Sequence, residues 1–335
     1  MVQRIGRHLT GALLVLVALL GLAGCGDGSE PPAPSGPLAD ALAEIGGGGE
    51  HGSLGVGWTE PRLAREAGLN RTLMGRALGP NAESVLEAAP VLRQRFGLDP
   101  LSARRLVSVG GSYAFGLRLE GVDGAGLRGA LLGAAGQTKD NDEGVTLVDV
   151  GPYAQVPEPL LRAGIFGLGA RNAFGPDLTV LAISATSRAA LLGHDGRLID
   201  QPIYRAAASC LGNVVAARMV PERLLLSVEV GIDLVAVGIK RDREVLCVLG
   251  GTAERAREIA AALRSSLAPA AHDPRTGEPM SKLVRDVDVG ASSYDGVQVV
   301  RAELTPVGPL GFLFGTIARG SLVQLINGPR APAGS

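Results

Sequence analysis

The stretch EVLCVLGGTAERAREIAAALRSSL, residues 244–267, reads as a strand, a two-glycine turn and a helix. Glu244 to Leu249 is a short apolar run of strand length. Ala256, Ile259, Ala260, Leu263 and Leu267 then recur at helical spacing and give the helix one apolar face. Thr252 stands where an N-cap residue belongs, its hydroxyl placed to accept from the first turn. Glycines before a helix N-terminus are also a setting for anion binding. This turn matches neither GxxxxGK[ST] nor GxGxxG, so capping is its expected role.

An echo of this unit lies in the first half of the chain. There a strand, a helix over Leu127–Ala135, a charged loop and a strand over Val145–Val150 follow in the same order. Further strands are expected at Ser53–Trp58, Arg105–Gly110, Tyr113–Glu120, Leu178–Ser184, Val214–Val220 and Val297–Leu304. Helices are expected at Leu38–Ile45, Tyr204–Leu211 and Glu83–Phe96, the last interrupted by Pro90. Strands outnumber helices, and many are hairpin neighbours. The fold class predicted is therefore α+β, with mostly antiparallel sheets flanked by helices. The echo favours two related lobes, 38–151 and 178–327, joined by a connecting segment over 152–177. One large α+β domain is the alternative. Residues 328–335 read as a disordered tail.

Composition narrows the function classes. The 335 residues carry 32 Lys and Arg against 33 Asp and Glu, a formal net charge of −1. Hydrophobic residues make up 46%, enough for a core and too many for a disordered chain. With no basic excess, no nucleic-acid partner is expected. Only Ala12–Leu20 is an uninterrupted apolar run of any length, so a polytopic membrane protein is excluded. Aromatics are 3% of the chain, too few for a sugar-stacking surface. The single Trp58 is therefore assigned to core packing rather than to a ligand site.

The N-terminus supplies the address. Residues 1–25, MVQRIGRHLTGALLVLVALLGLAGC, run from Arg4 and Arg7 through the apolar core to the small residues Gly21, Ala23 and Gly24. This order is that of a secretory signal peptide. Leu22-Ala23-Gly24-Cys25 resembles the lipobox of bacterial lipoproteins, in which the signal is cut before a cysteine that is diacylated on sulfur. The resemblance implies lipidation at Cys25, anchoring to the cell membrane through acyl chains, and a position on its extracytoplasmic face. One acyl chain holds a protein only marginally, whereas two or three hold it durably. Loss of residues 1–24 would leave 335 − 24 = 311 residues, with 30 basic against 33 acidic side chains. Only Lys139, Lys240 and Lys282 are lysines, and this Arg, Ala and Gly bias resembles that of actinobacterial lipoproteins. Residues 25–37, rich in Gly, Pro and Ser, read as the lipidated cysteine and a flexible tether.

Once Cys25 is acylated, Cys210 and Cys247 remain, in a compartment that permits disulfides. They are expected to pair with each other. No CxxC spacing and no nearby histidine suggests a metal. Lys139–Gly144 is acidic but lacks the EF-hand glycine and glutamate positions, so it reads as a solvated turn. His51, His194 and His272 lie far apart in polar loops, with neither HExxH nor GxSxG in the chain, and read as surface residues. Pro309–Ile326 is apolar but broken by glycines and Arg319, and reads as a buried helix or strand pair. No catalytic, cofactor-binding or metal-binding residue is assigned. The functional expectation is a non-enzymatic accessory or binding module of the cell envelope, whose partner is an envelope protein or an apolar ligand. Carriage of an apolar envelope molecule is the alternative, and an envelope hydrolase is a third reading.

Overall fold

The computed structural model describes residues 34–47, 54–110, 115–133, 137–140, 144–150, 170–194, 196–225 and 231–327. The expected signal peptide, Cys25, most of the expected tether, His51 and the expected tail at 328–335 lie outside these residues. So do 141–143 of the acidic turn and most of the connecting segment.

In chain order the elements begin with α1 (Pro37–Glu44), β1 (Gly55–Thr59), α2 (Pro61–Glu66), α3 (Arg71–Leu78), α4 (Pro80–Glu87) and α5 (Ala89–Phe96). Next come β2 (Arg105–Gly110), β3 (Phe115–Glu120), α6 (Ala125–Gly133), β4 (Gln137–Asp140), β5 (Thr146–Asp149), β6 (Arg171–Gly175), β7 (Leu178–Ala182) and α7 (Ala185–Leu191). The second half contains α8 (Pro202–Leu211), β8 (Ala216–Pro221), β9 (Leu234–Ile239), β10 (Glu244–Leu249), α9 (Ala253–Ser266), β11 (Val284–Tyr294), β12 (Val297–Pro306), α10 (Phe312–Ala318) and α11 (Leu322–Asn327). The fold is α+β, an antiparallel sheet flanked by helices.

The twelve strands of the described residues form one sheet, in the order β11-β12-β10-β9-β8-β1-β2-β3-β7-β6-β5-β4. Every neighbouring pair is antiparallel. The described residues all belong to one compact unit. Between the two expected lobes the sheet is continuous, because β1 pairs directly with β8 through Val56–Met219, Gly57–Arg218, Trp58–Ala217 and Thr59–Ala216. The two halves share part of their strand order. In each half three strands meander outward (β1-β2-β3 and β8-β9-β10), and a helix follows the third (α6 and α9). Four strands, β4 to β7, follow α6, whereas a hairpin, β11–β12, follows α9; β7 lies next to β3 and β12 next to β10. The two halves meet at the β1–β8 pair.

Two apolar layers sandwich the sheet. Helices α2 to α6 and α9 to α11 cover one face, contributing among others Met74, Leu86, Leu92, Leu127, Ile259, Leu263, Phe314 and Leu325. Helices α1, α7 and α8 cover the other, with Leu42, Leu191, Tyr204 and Leu211. Strand β10 shows why its sequence is apolar throughout. Leu246 and Val248 enter the first layer, while Val245, Cys247 and Leu249 enter the second. A strand covered on both faces has no solvent side on which to place polar residues. Trp58 is 1% exposed in the second layer, a core residue as its sequence context suggested.

The second layer is also fastened covalently and ionically. Cys210 on α8 and Cys247 on β10 form a disulfide with their Cα atoms 6.3 Å apart. Glu44 at the end of α1 meets Arg105 at 2.5 Å and Arg118 at 2.6 Å. Glu120 binds the same two guanidiniums at 2.7 Å each. Burial alone would raise the Glu44 carboxyl, but Arg105, Arg118 and Arg104 hold it below the usual carboxylate range.

Several local readings differ from the structure. Glu83–Phe96 is two helices rather than one kinked helix. Pro80 opens α4, Ala88 ends it, and Pro90 falls in the first turn of α5, where a missing N–H costs nothing. Helix α3 had no counterpart among the expected elements, nor did β6, which lies inside the expected connecting segment. Residues 137–140, read as loop, are the edge strand β4. Pro309–Ile326 is two short helices, α10 and α11, with Leu313, Phe314, Leu325 and Ile326 buried. Among the described residues no helix is long and apolar enough to cross a membrane. Thr252 caps α9 as expected, its Oγ1 accepting from Arg255 N at 3.1 Å.

Candidate functional site

The β1–β8 junction carries a glycine where most strands carry a side chain. Gly57 faces the first layer, and a Cβ there would collide with Leu78 Cα, Ala77 O and Ser108 Oγ. This allows the end of α3 to descend onto the sheet. Helix α3 starts at Asn70, whose Oδ1 accepts from Leu73 N at 2.9 Å. It stops at Gly79, whose φ of 102° turns the chain into Pro80 and α4. Two strand side chains then satisfy carbonyls of its last turn, groups that a helix leaves without internal partners. Ser108 Oγ donates to Leu78 O, and Arg218 Nη1 donates to Arg76 O at 3.3 Å.

A second pair of helices descends on the other side. Glu244, at the start of β10, is fully buried and faces α10 end-on. Its Oε1 accepts from Gly311 N at 2.5 Å and Phe312 N at 2.9 Å, and its Oε2 accepts from Leu313 N at 2.7 Å. Burial pushes this carboxyl above its ordinary range, and the three N–H groups only partly oppose that. The contact fixes α10 against the sheet, and α11 continues from it.

Between these two walls lies a cleft of about 720 Å³. Its floor is β1, β2 and β8, with Gly55, Val109 and Val220 among the lining residues. One wall is the α3–α4 corner, and the other runs from Ile317 to Val323. The volume lies within the range of sites that hold drug-sized ligands, roughly 300–1,000 Å³. A smaller hollow of about 240 Å³ lies by α6, β5 and β6.

Charge enters this cleft chiefly as arginine. Arg76, Arg218 and Arg319 line it, and Glu83 is the one lining carboxylate. Burial pulls the Arg218 guanidinium below the ordinary arginine value, and the Glu83 carboxylate opposes this only in part. Three poorly exposed arginines on the opposite face of the sheet are paired with carboxylates. Arg105 and Arg118 sit on Glu44 and Glu120, and Arg188 reaches Asp149 at 2.5 Å. Among the described residues no carboxylate comes within 4.0 Å of Arg218, and its described hydrogen bond is the one to Arg76 O.

The residues singled out in the sequence lie elsewhere. Cys210, Cys247 and Trp58 belong to the layer on the opposite face of the sheet. His194 and His272 are exposed and do not line the cleft. The Gly250–Gly251 turn serves the Thr252 cap. Among the described residues no group of three or more His, Cys, Asp or Glu side chains gathers as a metal site. Arg218 and the glycines around it escaped the sequence reading because an arginine in a strand and a glycine in a turn are each commonplace. Their meaning comes from the β1–β8 register, which pairs Gly57 with Arg218. No protein-family model, curated protein or solved structure matches the chain.

Proposed function

We propose that the chain is a lipid-anchored, extracytoplasmic binding module of the cell envelope, non-enzymatic, that carries a small molecule with an apolar body. The observation that carries the binding part is the 720 Å³ cleft over the β1–β8 junction. A solidly packed junction would have supported a purely structural accessory instead. Support for the anchor is the run from Arg4 to the lipobox-like Leu22-Ala23-Gly24-Cys25. The Cys210–Cys247 bridge fits export to a compartment where thiols oxidise. The hydrolase reading needs a histidine in a cleft beside Ser or Asp, and the exposure of His194 and His272 gives it no support.

The test uses the exposed Ala318, which lines the mouth of the cleft. Calorimetric titration of the full mature chain with a monoacylglycerol below its critical micelle concentration should show saturable binding. Ala318→Trp, which places an indole in the mouth at little cost to the core, should weaken it about tenfold or more. Binding unaffected by Ala318→Trp, or no binding of monoacylglycerol or of any charged analogue, would overturn the carrier reading. Fractionation of cells expressing Cys25→Ser tests the anchor: the variant should leave the membrane fraction, and retention would remove the lipidation.

A further inference from the structure

Resting on the carrier reading of the same cleft, we propose that its ligand is an anionic amphiphile, and that Arg218 receives the negatively charged head while the apolar walls hold the tail.

Burying a cation costs free energy unless an anion or a set of acceptors compensates for it. In the opposite layer the compensation is built in. Arg105 and Arg118 share Glu44 and Glu120, and Arg188 takes Asp149. Arg218 is held against the sheet by the same kind of packing, yet its described hydrogen bond is a single 3.3 Å contact to Arg76 O. A guanidinium offers five N–H donors, so most of its hydrogen-bonding capacity remains to be used. The cation also sits beside the carbonyl end of α3, which favours positive charge. That accounts for the Arg76 contact and leaves the other donors open to the cleft.

The open space lies beside this group: Arg218 lines the cleft, and the end of α3 packed over Gly57 borders it. The other two lining arginines, Arg76 and Arg319, repeat the sign of the charge, and Glu83 supplies the only opposing one. Planar guanidinium forks bind phosphate and carboxylate oxygens in pairs, which gives such a head a geometric as well as an electrostatic match. Ile317, Leu322 and Val323 give one wall an apolar stretch suited to a tail. A free inorganic anion would use the arginines and leave the apolar walls unoccupied. A neutral lipid would use the walls and leave Arg218 uncompensated.

The experiment is a comparison of three probes on the oxidised mature chain: a lysophosphatidic acid, a monoacylglycerol with the same acyl chain, and inorganic phosphate. The lysophosphatidic acid should bind about tenfold more tightly than the monoacylglycerol or better, and phosphate alone should bind far more weakly than either. Arg218→Met, with a comparable apolar stem and no charge, should bring the lysophosphatidic acid to the affinity of the monoacylglycerol. Arg218→Lys should restore part of the difference. Equal affinities for the two lipids on the wild-type chain would overturn the headgroup assignment while leaving the carrier reading standing, and that comparison needs no variant to fold. Phosphate binding as tightly as the lysophosphatidic acid would overturn the amphiphile in favour of a free anion. If no probe binds, the carrier reading falls first and takes this inference with it.

Discussion

Reducing the Cys210–Cys247 bridge without changing a side chain perturbs this fold in a calculable way. Both cysteines are buried, at 2% and 0% exposure, so reduction leaves two thiols in place and opens no cavity. The main change is in the unfolded chain, which is released from a loop closed across a separation of 37 residues. On the chain-entropy argument such a closure removes about 2.1 + 1.5R ln n cal/mol/K from the unfolded state, here about 13 cal/mol/K, or about 4 kcal/mol at 25 °C. The compact unit spans 335 − 33 + 1 = 303 residues. At about 2.1 cal/mol/K per residue its unfolding entropy is about 640 cal/mol/K, so reduction should lower Tm by about 6 °C. Scanning calorimetry with and without a phosphine reductant measures this. Cys210→Ala with Cys247→Ala should fall further than the reduced wild type, because two buried sulfurs are lost as well. A reduced wild type that melts within about 1 °C of the oxidised protein would refute the reasoning, since on these numbers the loop closure cannot be that weak.

Three other outcomes follow from the same geometry. Gly57→Ala should destabilise the protein by about 1–3 kcal/mol in urea unfolding, because its Cβ meets backbone atoms of α3 that cannot move without lifting the helix; a neutral result would mean that α3 does not sit on β1 as described. Glu244→Gln should cost about 1–3 kcal/mol, since the amide turns an N–H2 toward Leu313 N and orphans a donor of α10, and it should also weaken ligand binding through the displaced wall. Acid should destabilise through Glu44 and Glu303, both held below the ordinary range despite partial burial, Glu44 by Arg105 and its neighbours and Glu303 by Arg301 and Lys240. Their folded values lie below the unfolded one, so their contribution is present above about pH 4.5 and is lost as pH falls through the folded values. Glu244 has the opposite sign, contributing most at low pH and losing that contribution as pH rises through its folded value. Melting curves from pH 3 to 7 on wild type, Glu44→Gln and Glu244→Gln separate the two: the first variant should flatten the acid limb, and the second should steepen it.

The legible parts of this chain were those in which one short-range pattern decides the structure. Residues 244–267 gave β10 and α9 to within a residue, because burial on both faces makes β10 apolar throughout and the helix repeats its apolar face. Three cysteines, one of them in a tetrapeptide that resembles a lipobox, left one simple pairing, and Cys210 and Cys247 are bonded. The illegible parts depended on contacts made across the sheet. Helix α3 is only eight residues long, and it is held by Ser108 and Arg218 from strands far away in sequence. Strand β6 has Arg171, Asn172 and glycine in five residues and exists because β5 and β7 flank it. The cleft belongs to the same class. Its floor is the junction of two topologically similar halves, and only pairing of β1 with β8 brings Gly57 and Arg218 together. Spacing along the chain carries no trace of a contact between residues 161 positions apart.

Native mass spectrometry of the protein drawn intact from its own membrane tests the central claim most directly. The account predicts a chain beginning at Cys25, heavier by its acyl groups and lighter by the two hydrogens of the bridge, with a non-covalent amphiphile bound at one per chain and missing from Ala318→Trp. A chain that still carries residues 1–24, free of acyl mass and released from the membrane with an empty cleft, would contradict it.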